Sequence, residues 1–112
     1  MRSERVGDEL RSVLANIFIA GLHIPEAGLI TVTRVKVSDD IKIAKIYISF
    51  LKNKISSKKS LQLIIAKRKL IRHFVSRKIS VKYIPELRFY YDDTFENAEK
   101  IDKLINKIHN DD

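Results

Sequence analysis

Across residues 42–50 apolar and polar side chains alternate, with Ala44, Ile46, Ile48 and Phe50 on one side and Lys45, Tyr47 and Ser49 on the other. A strand with one dry and one wet face belongs in a sheet that is covered on a single side. Helices must supply the cover, because the apolar residues outside the strands recur at spacings of three and four. Val6, Leu10, Val13, Leu14 and Ile17 make one such stripe and predict a helix over residues 3–19, with Ser3 as its cap. Gly21, Pro25 and Gly28 interrupt the chain. Residues 29–37, dense in β-branched side chains, predict a strand, and Ser38-Asp39-Asp40 the turn into the alternating segment.

Beyond a polar loop over residues 52–59, a second helical region is expected, capped near Ser57. Leu61, Ile64 and Ile65 share one face, as do Leu70, Ile71, Phe74 and Val75, but Arg68 stands where the stripe needs an apolar residue. Either one helix carries a charged turn here or two helices meet at a kink. Leu87, Phe89 and Tyr91 alternate with Arg88, Tyr90 and Asp92 in a third strand, and Asp93 with Glu96 resembles a capping box for a last helix built on Ala98, Ile101, Leu104, Ile105 and Ile108. The reading is one α+β domain over residues 1–112, with helices on one side of a small sheet.

Charge bounds the function. The net charge is +8, yet residues 41–85 contain thirteen Lys or Arg and no Asp or Glu, while the other residues carry nine basic and fourteen acidic side chains. Cations without carboxylates nearby in sequence call for an outside polyanion, and nucleic acid is the commonest. The expectation is a contiguous cationic surface. The chain has no cysteine, and Arg2, Glu4, Arg5, Asp8, Glu9 and Arg11 near its start are incompatible with a secretory signal, so a soluble cytoplasmic protein is expected.

The segments Arg5-Val6, Ile30-Thr-Val-Thr-Arg-Val-Lys-Val-Ser38, Asp40-Ile-Lys-Ile-Ala-Lys-Ile-Tyr-Ile-Ser49 and Ile84-Pro-Glu-Leu-Arg-Phe89, followed by Asp92, resemble in order and spacing the bacterial ribosome-binding factor A family. The resemblance covers nearly the whole chain. It implies a type II KH-like fold, α-β-β-α-kink-α-β with an added C-terminal helix. It also implies a non-enzymatic monomer that binds ribosomal RNA of the small ribosomal subunit during late maturation, with no cofactor and no membrane. In that family an alanine and, two residues later, a glycine mark the kink; here Ala66 and Arg68 hold those positions. Ala98 is a second departure, where the family often has glycine.

If the kink forms, backbone N–H groups opening the second helix of the pair offer a phosphate site. Ala66, Lys67, Arg68, Lys69 and Arg72 would surround it, and Arg77, Lys78 and Lys82 would extend the track. Arg68 and Arg72 stand out, because a guanidinium can hold a phosphate through two parallel bonds. Tyr47 and Tyr90 lie on the wetter strand faces and could stack on bases, although cross-strand packing is the commoner use of such residues. His73 has no second histidine nearby in sequence and reads as a contact or bystander. The competing reading is a metal-dependent RNA-processing enzyme in which Asp39-Asp40 and Asp92-Asp93 together bind Mg²⁺.

Overall fold

The computed structural model describes residues 2–94. Its elements are α1 (Arg2–Asn16), β1 (Leu29–Val37), β2 (Ile43–Leu51), α2 (Ser57–Ala66), α3 (Arg68–Lys78) and β3 (Glu86–Tyr91). The strands lie in the order β1-β2-β3, with β1 antiparallel and β3 parallel to β2. A parallel pair needs a long crossover, and α2 with α3 supplies it. The last helix expected from the sequence lies outside the described residues.

The one-sided strand organises the core. Ala44, Ile46 and Ile48 of β2 are fully buried, flanked by Val32 and Val37 of β1 and by Leu87 and Phe89 of β3. Over them pack Val6, Leu10 and Leu14 of α1, Ile64 of α2, and Ile71 and Val75 of α3. No described helix covers the opposite face, where Lys45 and Tyr90 are exposed. The architecture is thus a small mixed α+β domain, a three-stranded sheet with three helices on one side.

A bulge sets which residues face which way. Val32 pairs with Ile48 and Arg34 with Tyr47, so Thr33 is an extra residue in β1. Were Thr33 paired in regular alternation instead of bulged, Arg34 and Lys36 would turn toward the helices. With the bulge, Val35 and Val37 join the apolar side and Arg34 and Lys36 are exposed.

Two predicted boundaries shift for identifiable reasons. The regular part of α1 ends at Asn16, and Ile17–Gly21 form a wider π-helical turn closed by the Leu22 N–H donating to the Ile17 carbonyl at 2.7 Å. That turn keeps the consecutive residues Ile17 and Phe18 both buried. Ser3 is a buried residue inside α1 rather than its cap. The cap of α2 is Ser56, one residue before the expected Ser57, and its Oγ accepts from the Lys59 N–H at 3.1 Å.

Gly28 opens β1 with φ of +68°, and a Cβ there would collide with the carbonyl oxygens of Leu51 and Lys52. Gly28→Ala is expected to cost about 2 kcal/mol or more, combining the strained backbone with displacement of the end of β2, as read by urea unfolding. Ser60 presents the reverse case: its hydroxyl is fully buried and has no partner among the described residues. Ser60→Ala removes an unsatisfied group from α2 and should raise stability by about 1 kcal/mol, seen as a higher urea midpoint at unchanged slope.

Candidate nucleic-acid interface

The sequence left open whether residues 57–78 form one helix or two, and the structure has two. The Lys67 N–H donates to the carbonyls of Leu63 (3.2 Å) and Ile64 (3.0 Å), and the ladder resumes with the Ile71 N–H donating to Lys67 at 2.9 Å. Lys67 itself sits at φ −97°, ψ 13°, between the two helices. That conformation is open to any L-residue, so the break does not need a glycine. Arg68 begins α3 as an ordinary helical residue. The N–H groups of its opening turn are those a helix start leaves without partners in its own ladder.

Around this break Ala66, Arg68, Lys69 and Arg72 are exposed and Lys67 is half-buried. Arg68, Lys69 and Arg72 line a shallow hollow with Glu86 and Leu87, where β3 begins. The Arg72 guanidinium reaches toward the Ile84 carbonyl at 3.5 Å, too long for a strong tether. Arg77 and Lys78 are exposed in the last turn of α3, about 15 Å from its start. There they also complement the negative end of the helix dipole. Lys82 lies elsewhere, with its Nζ 5.4 Å from the centre of the Tyr83 ring, in a hollow shared with Arg2, Asp40 and Lys42. His73 is exposed on α3, its ring tilted against Phe74. The expected track therefore resolves into a cluster at the helix junction, a pair at the far end of α3, and Lys82 in its own hollow with Arg2 and Lys42.

The cations of the acid-free stretch do not all lie with the helices. Lys45 points out of the sheet on the side away from the helices, so the acid-free stretch supplies cations to two faces. On the open face Lys45 is joined by Arg34, Lys36 and Arg88, none of which the sequence reading singled out. Tyr47 and Tyr90 lie between them, with ring centres 5.5 Å apart and planes at 27°, and the Arg34 guanidinium sits 4.4 Å from the centre of the Tyr47 ring. A signal for Arg34 and Lys36 was present: the apolar residues of β1 slip phase from Ile30 and Val32 to Val35 and Val37.

The two carboxylate pairs do not meet. Asp39-Asp40 lies in the β1–β2 turn, beside the start of β3, and Asp92-Asp93 follows its end, on the order of 20 Å away. Each pair has a structural occupation. Asp40 accepts from the Ser38 hydroxyl at 2.6 Å and the Lys42 N–H at 3.2 Å, and the hydroxyl, followed by the N–H, holds its pKa below the ordinary value. Asp92 accepts from the Thr33 hydroxyl at 2.6 Å and the Thr94 N–H at 3.0 Å. The Thr33 hydroxyl is the first cause of its lowered pKa, followed by Thr94, with Arg34 adding a smaller favourable charge. A joint Mg²⁺ site from the two pairs is not formed.

The domain is thus a mixed α+β fold whose crossover is a basic, kinked helix pair. The chain belongs to the ribosome-binding factor A family, whose model matches residues 2–105. It is 44% identical over 115 residues to the ribosome-binding factor A of Pelagibacter ubique, covering 96% of this chain and 90% of that one. It is 31% identical over 111 residues to that of Macrococcus caseolyticus, covering 99% and 97%. Its fold is similar to the crystal structure of ribosome-binding factor A from Thermus thermophilus, with a TM-score of 0.69 at 20% identity, over 80% of this chain and 94% of that one. It is likewise similar, with a TM-score of 0.66 at 21% identity over 77% and 90%, to a homology model of the Thermus thermophilus factor fitted into a cryo-electron microscopy map of a complex with the 30S subunit.

The Thr33–Asp92 bond links the bulge of β1 to the residue after β3, across the width of the sheet. Because the folded pKa of Asp92 lies below its unfolded value, the contribution is fully present above about pH 5 and lost as pH falls through the folded pKa. Thr33→Val should therefore lower stability by about 1 kcal/mol at pH 7 and narrow its difference from wild type as unfolding is repeated toward pH 2.

Proposed function

We propose that this protein is a non-enzymatic assembly factor that binds ribosomal RNA of the small ribosomal subunit and assists its late maturation. The observation that carries the reading is the break at Lys67, which places Arg68, Lys69 and Arg72 around the opening turn of α3. A phosphate at that turn would receive backbone N–H groups, the positive end of the helix dipole and two guanidinium groups. In this reading Ala66 allows close approach, Lys67, Arg68, Lys69 and Arg72 hold the backbone, and Arg77 and Lys78 continue along α3. Lys82 makes a separate contact from its own hollow.

Family membership supports the reading, as does the complex of the Thermus thermophilus factor with the 30S subunit. In the type II KH-like reading the helix pair takes the part of the nucleic-acid loop, and contacts of this kind read the phosphate backbone rather than the sequence. The protein would act in the cytoplasm as a monomer. Among the described residues no helix is long and apolar enough to cross a membrane. The separation of the aspartate pairs removes the joint Mg²⁺ site on which the competing cleavage reading rested.

The test is co-sedimentation of the full chain with small subunits across a salt series. Binding should prefer immature subunits and weaken steeply with salt, as counterion release requires. Arg68→Glu with Arg72→Glu should lower affinity at least about tenfold at 0.1 M salt while the melting temperature stays within a few degrees of wild type. Undiminished binding by the double variant would remove the helix junction from the interface.

A further inference from the structure

The open face of the sheet carries charge and aromatic surface that the helix-junction reading does not use. We propose that this face is a second RNA-binding surface, one that takes unpaired nucleotides by stacking a base on Tyr90 and Tyr47 and holding the adjoining phosphates with Lys36, Lys45 and Arg88.

The bulge at Thr33 turns Arg34 and Lys36 out of the core and onto the same face as Lys45, Tyr47, Arg88 and Tyr90. In one row across the sheet Arg34 packs over Tyr47 and Tyr47 stacks with Tyr90. Tyr90 lies on the edge strand β3, so no described strand continues beyond it, and 38% of its surface is exposed. A ring braced from one side and open on the other is an aromatic platform that every base can use, because each base has a π-face. The guanidinium over Tyr47 adds a cation beside the platform.

The next row, two residues toward the β1–β2 turn and so about 7 Å away, is Lys36, Lys45 and Arg88. These three line one hollow of about 360 Å³ with Ser38 and Ile43, and no carboxylate lines it. The face has acids, but they are engaged: Glu86 is held by Arg88 at 2.9 Å, and Asp92 by Thr33 and Thr94. Lys36 and Lys45 are cross-strand partners, a like-charge pair that costs stability unless an anion lies between them. Aromatic platform and cationic hollow at adjacent rows match one partner, single-stranded RNA. A duplex keeps its bases stacked inside and would meet only the cations.

The proposal rests on the reading of this protein as an RNA binder, and the test separates the two. Binding of the full chain is measured by fluorescence anisotropy to a twelve-nucleotide single-stranded RNA, to an abasic oligomer of equal length, and to a twelve-base-pair RNA duplex. Tyr90→Ser is expected to weaken binding of the single strand about tenfold. It should leave duplex affinity within twofold, and Tyr90→Trp should restore the single-strand affinity. The wild-type protein should bind the abasic oligomer about as weakly as Tyr90→Ser binds the intact strand. Lys36→Glu with Lys45→Glu, both on the exposed surface, should lower single-strand affinity without lowering the melting temperature.

Single-strand affinity unchanged in Tyr90→Ser overturns the proposal, as does an equal loss on strand and duplex or a failure of Tyr90→Trp to rescue. A wild-type dimer in sedimentation that dissociates in Tyr90→Ser also overturns it, since the face would then be covered by a second copy. If the single strand is insensitive to the tyrosines while Arg68→Glu with Arg72→Glu abolishes binding of both RNAs, only the open-face proposal fails. If wild type binds neither RNA, the broader reading fails with it.

Discussion

The fold hangs on the one-sided burial of β2. Ala44, Ile46 and Ile48 are fully buried beneath the helices, while Lys45 and Tyr47 on the other side keep contact with solvent. Burying side chains of this size contributes roughly 1.5–3 kcal/mol each for the larger ones, so the central strand is the largest local source of stability in the sheet. Everything else is arranged to serve it. β1 and β3 flank it, and α1, α2 and α3 roof it. The same asymmetry creates the functional opportunity, because a sheet roofed on one side keeps a whole face for other uses.

The strands were legible because their signal is local. β1 was read with the bounds it has, and β2 and β3 within one residue or so, since alternation and β-branching depend on neighbours a few positions apart. Helix ends were less legible, because they are decided by packing. The π-helical turn after Asn16 exists to bury Ile17 and Phe18 together, and nothing in the sequence spacing alone demands it. The kink was visible as a lapse in the apolar stripe at Arg68, but the residue that takes the non-helical conformation is Lys67. Tertiary contacts that seat α2 on β2 and β3 and α3 against α1 accompany the break at that position, whatever the propensity of arginine.

The binding surface was legible in kind and not in place. Counting charges along the chain revealed an uncompensated cationic stretch, but linear order says little about which cations become neighbours. Lys45 and Lys69 belong to the same acid-free run, yet Lys45 lies on the open face of the sheet and Lys69 on α3, beside the start of β3. Conversely Arg34, Lys36 and Arg88 lie outside that run and join Lys45 through strand pairing. The aspartate pairs misled for a related reason. Their resemblance in sequence, two carboxylates following a strand, concealed that one lies near the start of β3 and the other beyond its end.

Thr33 is a single surplus residue, and it decides what β1 shows to each side. Removing Thr33 outright would leave Val32, Val35 and Val37 in plain alternation with Arg34 and Lys36, whereas removing a paired residue of β1 would keep the surplus and turn part of the strand over. Length changes should therefore be unevenly tolerated in the family: the loop over residues 52–56 can grow or shrink with little more than a closure-entropy penalty and β1 can lose its surplus residue, whereas a deletion at a paired position of β1 turns part of the strand over. Insertions and deletions among relatives ought to cluster in that loop and, within β1, to fall at Thr33 rather than at its paired neighbours.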